Sequence, residues 1–230
     1  MATQNEAATL TIRVPGSPFP IAFQDWIHDK KWATCQFTHG ATARLDIFSA
    51  GPGQAIPGGT RALNATDTNL DRAGTSGLSP GNEALIYAIK LTQKALGQNA
   101  AAAAGPGDPR VPSTLNSLYD LSDKLYVDFE YNRKTRSEGS MLNYPSGKGI
   151  CTQGVVTGFE IAHNGVPSPR DQLAFVMPLW LRENISFNLF LQPVAALVQN
   201  WAFVYAGVAY TQTYTEVSCE LEGLIQKPVS

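Results

Sequence analysis

The sequence has little charge, few metal-binding side chains and no long hydrophobic run. Charged residues make up 16% of its 230 residues, against roughly 25% in an average soluble domain. Lys and Arg together number 17 and Asp and Glu number 19, so the chain lacks the basic excess of a general nucleic-acid binder. No apolar stretch reaches the roughly 18 residues that a membrane-spanning helix needs. These absences favour a soluble globular protein that exposes few charges to water.

Cysteine and histidine are equally scarce, with three of each in the chain. The cysteines are Cys35, Cys151 and Cys219. An odd number at wide spacing matches neither a disulfide framework nor a zinc site, and we interpret them as reduced thiols. The histidines form no HxH or HExxH pair, and no Gly-x-Ser-x-Gly motif is present. We therefore expect a protein that is not an enzyme and that holds no cofactor.

The pattern that is present is an alternation of apolar and polar residues, which predicts half-buried β-strands. Stretches with clean alternation are 8–14, 43–47, 85–91, 127–131, 155–161, 185–191 and 213–221. The β-prone stretch 32–38 predicts an eighth strand, and 173–181 is a candidate for a ninth. Helical spacing predicts one short helix over 114–124 and favours a further turn or two at 194–200. So few helices exclude a βαβ pattern and indicate antiparallel sheets.

Long segments rich in Gly and Pro separate these strands. The chain has 20 Gly and 15 Pro, and we predict one domain over 1–230 with long loop insertions near 51–82, 97–124 and 133–154. Structureless loops beyond about 15 residues are usually functional or disordered. Three such loops on a β scaffold are typical of a protein whose loops contact neighbouring molecules.

One acidic cluster has the spacing of metal ligands. Asp67, Asn69 and Asp71 match the first three ligand positions of a calcium-binding loop. Arg72 stands where that loop needs a glycine and Leu78 where it needs a bidentate glutamate, so an EF-hand is excluded. Two alternatives stay open, which are an irregular calcium site and side chains that cap the turns of a long loop.

Apolar residues near the C-terminus are candidates for an interface between molecules. The segment 194–208 is apolar almost throughout, and Trp180 lies between two leucines. Such side chains are typical of a core or of an interface anchor rather than of a sugar-binding platform. The candidate interface residues are Trp180, Val194, Leu197, Val198, Trp201, Phe203 and Tyr205. A separate basic cluster, Arg133, Lys134 and Arg136, fits either an acidic neighbour, a phosphate or a solvated loop.

Three segments carry a resemblance to a known family. They are 50–60 with its continuation 67–80, 141–149 (MLNYPSGKG) and 178–191 (PLWLRENISFNLFL). Together with the strands, the Gly/Pro loops and the single short helix, they resemble jelly-roll capsid (coat) proteins of tailless icosahedral bacterial viruses. The resemblance implies an all-β antiparallel jelly-roll sandwich of about eight strands. It also implies a structural subunit that self-assembles in the host cytoplasm into a virion, and no catalytic residues.

The same resemblance implies the partners of the chain. They would be copies of itself and other capsid proteins, with an internal membrane or a genome at the inner face and without sequence-specific binding of nucleic acid. The main alternative is a non-enzymatic β-sandwich binding module, either lectin-like or associated with a tail or a receptor. That alternative predicts an exposed aromatic or polar pocket, whereas the capsid subunit predicts an oligomer.

Overall fold

The computed structural model describes residues 11–12, 21–22, 26–70, 77–100, 115–145, 151–155, 159–163, 173–197, 202–205 and 208–226. Within these ranges the chain forms thirteen β-strands and one α-helix, α1 (Leu115–Lys124). The strands are β1 (Thr11–Ile12), β2 (Ile21–Ala22), β3 (Trp26–Thr38), β4 (Leu45–Asp46), β5 (Ala84–Ala100), β6 (Leu125–Tyr131), β7 (Lys134–Ser140), β8 (Cys151–Val155), β9 (Phe159–His163), β10 (Leu173–Leu181), β11 (Phe187–Pro193), β12 (Ala202–Tyr205) and β13 (Val208–Gln226). A 3-10 turn occupies Met141–Asn143.

A five-stranded antiparallel sheet contains the longest strands. Its central strand β13 pairs with β5 along one edge. Along the other edge, residues 208–211 of β13 pair with β12 and residues 214–226 pair with β3. Strand β10 pairs with the outer edge of β5, so β10 is an edge strand of the sheet. This arrangement joins segments that lie far apart in the sequence.

The second large sheet has four antiparallel strands in the order β4-β11-β6-β7. In β6 the residues Leu125, Val127, Phe129 and Tyr131 are buried, while those between them face outward, as alternation predicts. A turn of two residues, Asn132-Arg133, joins β6 to β7.

The core lies between the two sheets. One cluster of buried side chains includes Phe37, Ile89 and Val217 from the five-stranded sheet and Phe129 and Leu189 from the four-stranded sheet. The apolar faces of the sheets therefore pack on each other as in a β-sandwich. Each such side chain contributes about 1.5–3 kcal/mol to the free energy of unfolding when fully buried.

The short helix α1 closes one end of the four-stranded sheet. Its residues Leu118 and Leu121 are fully buried, as is Leu125 directly after it, which is the helical spacing that the sequence shows. Lys124 lies in its last turn, where a cation interacts favourably with the helix dipole. Among the described residues no helix is long and apolar enough to cross a membrane.

The expectation of a mostly β, antiparallel fold with a short helix is confirmed. The predicted number of about eight strands is lower than the thirteen in the described residues. Five predicted strands correspond to parts of β3, β5, β6, β11 and β13, and the ninth candidate corresponds to β10. The stretch 43–47 contains only the two-residue strand β4, and of 8–14 only Thr11–Ile12 is described.

Two local predictions disagree with the described residues, and positions 156–158 and 198–200 lie outside them. The stretch 155–161 contains the end of β8 and the start of β9, which are two strands that pair with each other. Apolar alternation alone does not distinguish one continuous strand from two paired antiparallel strands. The described part of 194–200 is not helical. The backbone N–H of Val194 donates to Lys124 O and that of Leu197 to Ala41 O, so these groups bond to other segments.

The predicted loops contain more structure than expected. Strand β7 and part of β8 lie within 133–154, and β5 continues to Ala100 within 97–124. The sequence of β7, KTRSEGS, is polar throughout, so it has no apolar alternation that would predict an edge strand. Residues 101–114 lie outside the described part. The described residues of 51–82 form two isolated bridges, Ala55–Ala62 and Leu78–Glu183.

Candidate interaction surface

The long loop 51–70 covers an edge of the five-stranded sheet. It supplies hydrogen-bond partners to the side of β3 that faces away from β13. Gln36 N–H donates to Pro57 O at 2.8 Å, and Asn69 N–H donates to Trp32 O at 3.2 Å. The Asn69 side chain accepts from Trp32 N–H at 2.9 Å. An exposed strand edge is a template for pairing with other chains, so this loop protects the molecule from such pairing along β3.

Arg61 fastens that loop to the sheet. Its Nη1 contacts Asp67 Oδ2 at 2.5 Å and its Nε contacts Glu216 Oε1 at 2.8 Å, and the two carboxylate side chains are only 6% and 10% exposed. The hydrogen bonds to Asp67 and Glu216 raise the pKa of Arg61 above its usual range. The cation is therefore permanent and neutralises two nearly buried carboxylates.

The predicted metal ligands take part in these contacts. Asp67 is bound to Arg61, and its Oδ2 also accepts from Asn64 N–H at 3.0 Å. Asn69 bonds the backbone of β3 at Trp32 and Lys30, and Asp71 lies outside the described residues. In the described part no group of three His, Cys, Asp or Glu side chains could hold a metal ion. Asp67 therefore caps a turn of the loop, and Asn69 bonds to the free edge of β3.

A titratable cluster lies on the outer face of the five-stranded sheet. His28 bonds the Tyr87 hydroxyl, and Glu222 contacts His28 Nε2 at 3.6 Å and Lys90 Nζ at 2.5 Å. Burial, then the charge of Glu222, raises the pKa of Tyr87. A β-bulge places this hydroxyl, because the pairing of β13 with β5 skips Tyr87 between Glu222 and Gly223. In this cluster the Glu222 carboxylate is paired with the Lys90 ammonium group, and the outer face of the sheet carries charged side chains there.

Two cysteines are chemically unreactive because they are buried. Cys35 and Cys219 are both fully buried in the main core. Burial raises the pKa of each thiol well above its ordinary value, and nearby carboxylates add to the effect. A thiol that stays protonated is a poor nucleophile and a poor metal ligand.

A groove opens between the edge strand β10 and the hairpin formed by β6 and β7. It encloses about 470 Å³ and is lined by apolar, aromatic and cationic side chains. The guanidinium of Arg182 lies 4.2 Å from the centre of the Trp180 ring, and that of Arg136 lies 5.9 Å from the centre of the Tyr131 ring. These are cation–π contacts, so the aromatic walls of the groove hold its positive charges in place.

An irregularity of β10 exposes apolar side chains at the rim of this groove. The pairing of β10 with β5 is interrupted between Ala174 and Leu179. Pro178 lies in this interval and has no N–H to donate to a neighbouring strand. Val176 is completely exposed and Met177 is 65% exposed, whereas Phe175 packs against the main core. Exposed apolar residues on an edge strand are typical of a surface that binds another molecule.

A second exposed apolar surface lies at the other end of the four-stranded sheet, near α1. Tyr126 begins the outer face of β6 opposite Ser140 of β7, and Val194 follows β11 directly. We call this surface the helix-end patch. Its residues are Tyr119, Asp123, Tyr126, Glu138, Leu142 and Val194. The Tyr126 hydroxyl donates to Glu138 at 2.8 Å.

The candidate interface residues of the sequence fall in different places. Trp180 is half-buried in the groove, where its indole N–H donates to Glu83 at 3.0 Å. Val194 is 67% exposed in the helix-end patch. Leu197 is fully buried in the main core, so it cannot contact a partner, and the expectation for this residue is corrected. Phe203 and Tyr205 belong to β12, whose backbone pairs with β13. Val198 and Trp201 lie outside the described residues.

Sequence reasoning missed most of the exposed apolar side chains. Among the residues whose side-chain burial is described, six large hydrophobic residues are exposed, and all lie at the groove rim or in the helix-end patch. They are Tyr119, Tyr126, Leu142, Val176, Met177 and Val194. Only Val194 was among the candidates. Pro178 in the apolar stretch 173–181 is the sequence signal that could have identified Val176 and Met177 as exposed, because a proline within a strand indicates an edge strand.

The groove rim and the helix-end patch thus carry the large hydrophobic side chains that are exposed where burial is described. Comparison of the chain with models of protein families, with curated proteins and with solved structures found no match.

Proposed function

We propose that this chain is a structural capsid subunit of an icosahedral virus or bacteriophage, with a jelly-roll fold and without enzymatic activity. Its partners in the proposal are copies of itself and other capsid proteins, and its place is the virion. A genome or an internal membrane would lie against the inner face of the shell. The observation that carries the proposal is the order of strands in the two large sheets.

A jelly roll is an antiparallel ribbon of eight strands wrapped into two sheets. In the ribbon the first strand pairs with the eighth, the second with the seventh, the third with the sixth and the fourth with the fifth. Wrapping then brings the eighth strand beside the third and the seventh beside the fourth. These neighbours form two four-stranded sheets, and this pattern is specific enough to test against the pairing of the chain.

The chain has a matching set of pairs. Without the hairpins β1–β2 and β8–β9 and the short β12, eight strands remain. In chain order their ribbon pairs are β3 with β13, β4 with β11, β5 with β10 and β6 with β7. The pairs made by wrapping are β13 with β5 and β11 with β6. These six hydrogen-bonded strand pairs support the proposed jelly roll.

The surface supports assembly rather than chemistry. A shell subunit needs contacts of roughly 800 Å² per partner, and the cores of such interfaces contain few Lys, Glu and Asp. The chain has only 16% charged residues and exposes apolar side chains at two separate ends. Two separate ends allow one subunit to contact more than one neighbour.

The test is the mass of the purified protein by light scattering over a concentration series, with negative-stain images of the same samples. We expect rings, shells or smaller oligomers. The double variant V176K/M177K places two charges on the groove rim, and we expect it to shift the population toward the 24.8 kDa monomer. The matched control T42K/A43K adds the same charge at exposed positions between β3 and β4. A wild-type protein that stays monomeric at every concentration would overturn the proposal.

The groove favours a second candidate, a lectin-like or receptor-associated binding module. Its aromatic side chains are the kind of wall on which a sugar ring stacks. Against this candidate, Arg182 covers the Trp180 ring and Glu83 accepts from the indole N–H. Titration calorimetry with a panel of glycans tests it. Binding by a monomeric wild type that is lost in W180A would support the module over the capsid subunit.

A further inference from the structure

We propose that the groove of one copy binds the helix-end patch of another copy, so that subunits associate head to tail. This inference rests on the proposed assembly and names the surfaces that would make it. It follows from the chemistry of the two ends of the four-stranded sheet, which are both apolar and opposite in charge.

The groove end is positively charged. Arg136 and Arg182 line the groove, and the exposed Arg133 and Lys134 lie in and after the turn between β6 and β7. Two carboxylates lie nearby and bond to neutral N–H groups, so they keep their charge and offset two of these four cations. Glu83 accepts from the Trp180 indole and Glu183 accepts from Gly81 N–H. A partner surface for this end should therefore be apolar with exposed carboxylates.

The helix-end patch has that composition. Asp123 and Glu138 are exposed there beside the apolar side chains. The nearby cation Lys124 is held by the fully buried Asp120, with Nζ 2.6 Å from Oδ1. Its Nζ also donates to Ala196 O at 3.0 Å, so Lys124 does not neutralise the exposed carboxylates. This end is therefore an apolar surface with negative charge.

The geometry and the charges select a head-to-tail contact. The apolar side chains of the two ends are separated by the seven residues of β6, which is about 20 Å. Glu138 lies opposite Asp128 near the middle of β6 and two positions from Arg136, so Asp123 is the carboxylate farther from the groove. A two-fold contact between identical ends would bring like charges together, whereas a head-to-tail contact pairs the cations with the carboxylates. Head-to-tail contacts use two different surfaces and generate rings or extended arrays. A ring or array is what a shell subunit requires.

The test uses two charge-reversal variants and their combination. R133E/R136E reverses the groove end, and D123K/E138K reverses the helix-end patch. We expect each variant alone to weaken association at least tenfold in light scattering. We expect an equimolar mixture of the two, or one chain with all four changes, to associate again, because the reversed surfaces are complementary. The control T42E/A43E should associate like the wild type, and circular dichroism checks that every variant is folded.

The outcomes separate this inference from the proposed function. If the wild type is monomeric, the proposed function fails and the inference fails with it. If the wild type assembles and both variants assemble equally well, the inference is overturned and the assembly stands. If D123K/E138K alone assembles normally, the contact is not head to tail. A fluorescent single-stranded DNA bound by the wild type but not by R133E/R136E, with assembly unchanged, would assign the groove to nucleic acid and also overturn the inference.

Discussion

At the scale of single residues, Arg61 holds the loop 51–70 on the five-stranded sheet. The carboxylates of Asp67 and Glu216 lose most of their water in this contact. Such ions need a partner, because an unpaired buried charge is strongly unfavourable. The spacing of Asp67 is visible in the sequence, but its three-way contact with Arg61 and Glu216 is not, because Glu216 lies 155 positions from Arg61.

We expect R61M to lower the free energy of unfolding by about 3 kcal/mol, the lower end of the range for breaking a buried ion pair, because Arg61 itself is 35% exposed. Urea denaturation measures this change. The matched control K30M breaks the exposed pair between Lys30 and Glu220, which should contribute less than about 1 kcal/mol. Equal losses in the two variants would contradict the role given to Arg61.

The buried thiols predict a loss of stability in alkali. In the unfolded chain Cys35 and Cys219 ionise near a pKa of about 8.5, whereas burial in the folded chain keeps them protonated. The unfolded state then binds fewer protons, so this contribution is complete below about pH 8.5 and is lost as the pH rises. Each thiol should add about 1.4 kcal/mol per pH unit to the decline.

Urea unfolding at several pH values in reducing buffer measures that slope, and C35A should reduce it by about the share of one thiol. Alkylation with iodoacetamide, followed by peptide mass spectrometry, gives an independent check. Neither Cys35 nor Cys219 should react in the native protein, and both should react in urea. Rapid labelling of either residue under native conditions would contradict the buried position.

At the scale of elements, the hairpin between β6 and β7 has an unusual turn. Asn132 and Arg133 have φ angles of 53° and 60°, and both angles lie in the left-handed region that a type I′ turn requires. Asparagine suits its position, but the second position favours glycine. Arginine there carries a backbone penalty of roughly 1–2 kcal/mol. The proposed contact at the groove end would explain why an arginine occupies a position where it lowers the stability of the turn.

We expect R133G to raise the free energy of unfolding by about 1 kcal/mol, because glycine adopts this conformation without strain. Thermal or urea unfolding measures the gain. The control R133A removes the same charge but keeps a Cβ in the left-handed conformation, so it should show no comparable gain. A similar rise in both variants would assign the effect to charge instead of to the backbone.

Predictability differed between elements for physical reasons. Strand β6 has one buried and one outward face, so its alternation is visible in the sequence. Strand β7 lies at a sheet edge and is polar on both faces, so it was assigned to a loop. The irregular part of β10 was missed because its exposed Val176 and Met177 have the composition of a buried strand. Burial of an apolar run depends on what packs over it, and the sequence does not contain that information locally.

At the scale of the whole molecule, the pairing is dominated by distant segments. The strand β3 near the start of the described chain pairs with β13 at its end over 26–38 and 214–226. The first and the last large strands therefore close the five-stranded sheet, and neither is complete without the other. The strands β10 and β7 each form an edge of one of the two large sheets, and the groove opens beside them.

Association through oppositely charged ends should depend on salt. The Debye length falls from about 10 Å at about 0.1 M salt to about 3 Å at about 1 M. We expect the assembled fraction at a fixed protein concentration to decrease over this range in light scattering. For R133E/R136E with its remaining apolar contacts we expect no such decrease. Stronger association of the wild type at high salt would indicate an interface held by apolar contacts alone.

The sequence by itself determined the mostly β, antiparallel fold, the helix near residues 115–124 and the scarcity of surface charge. These follow from local periodicity and composition, which act over a few neighbouring residues. The tertiary structure decided which strands pair, that Glu216 faces Arg61, that Leu197 is buried and that Val176 is exposed. Each of these depends on segments brought together over long sequence distances, because burial and charge pairing are properties of the packed chain rather than of any single segment.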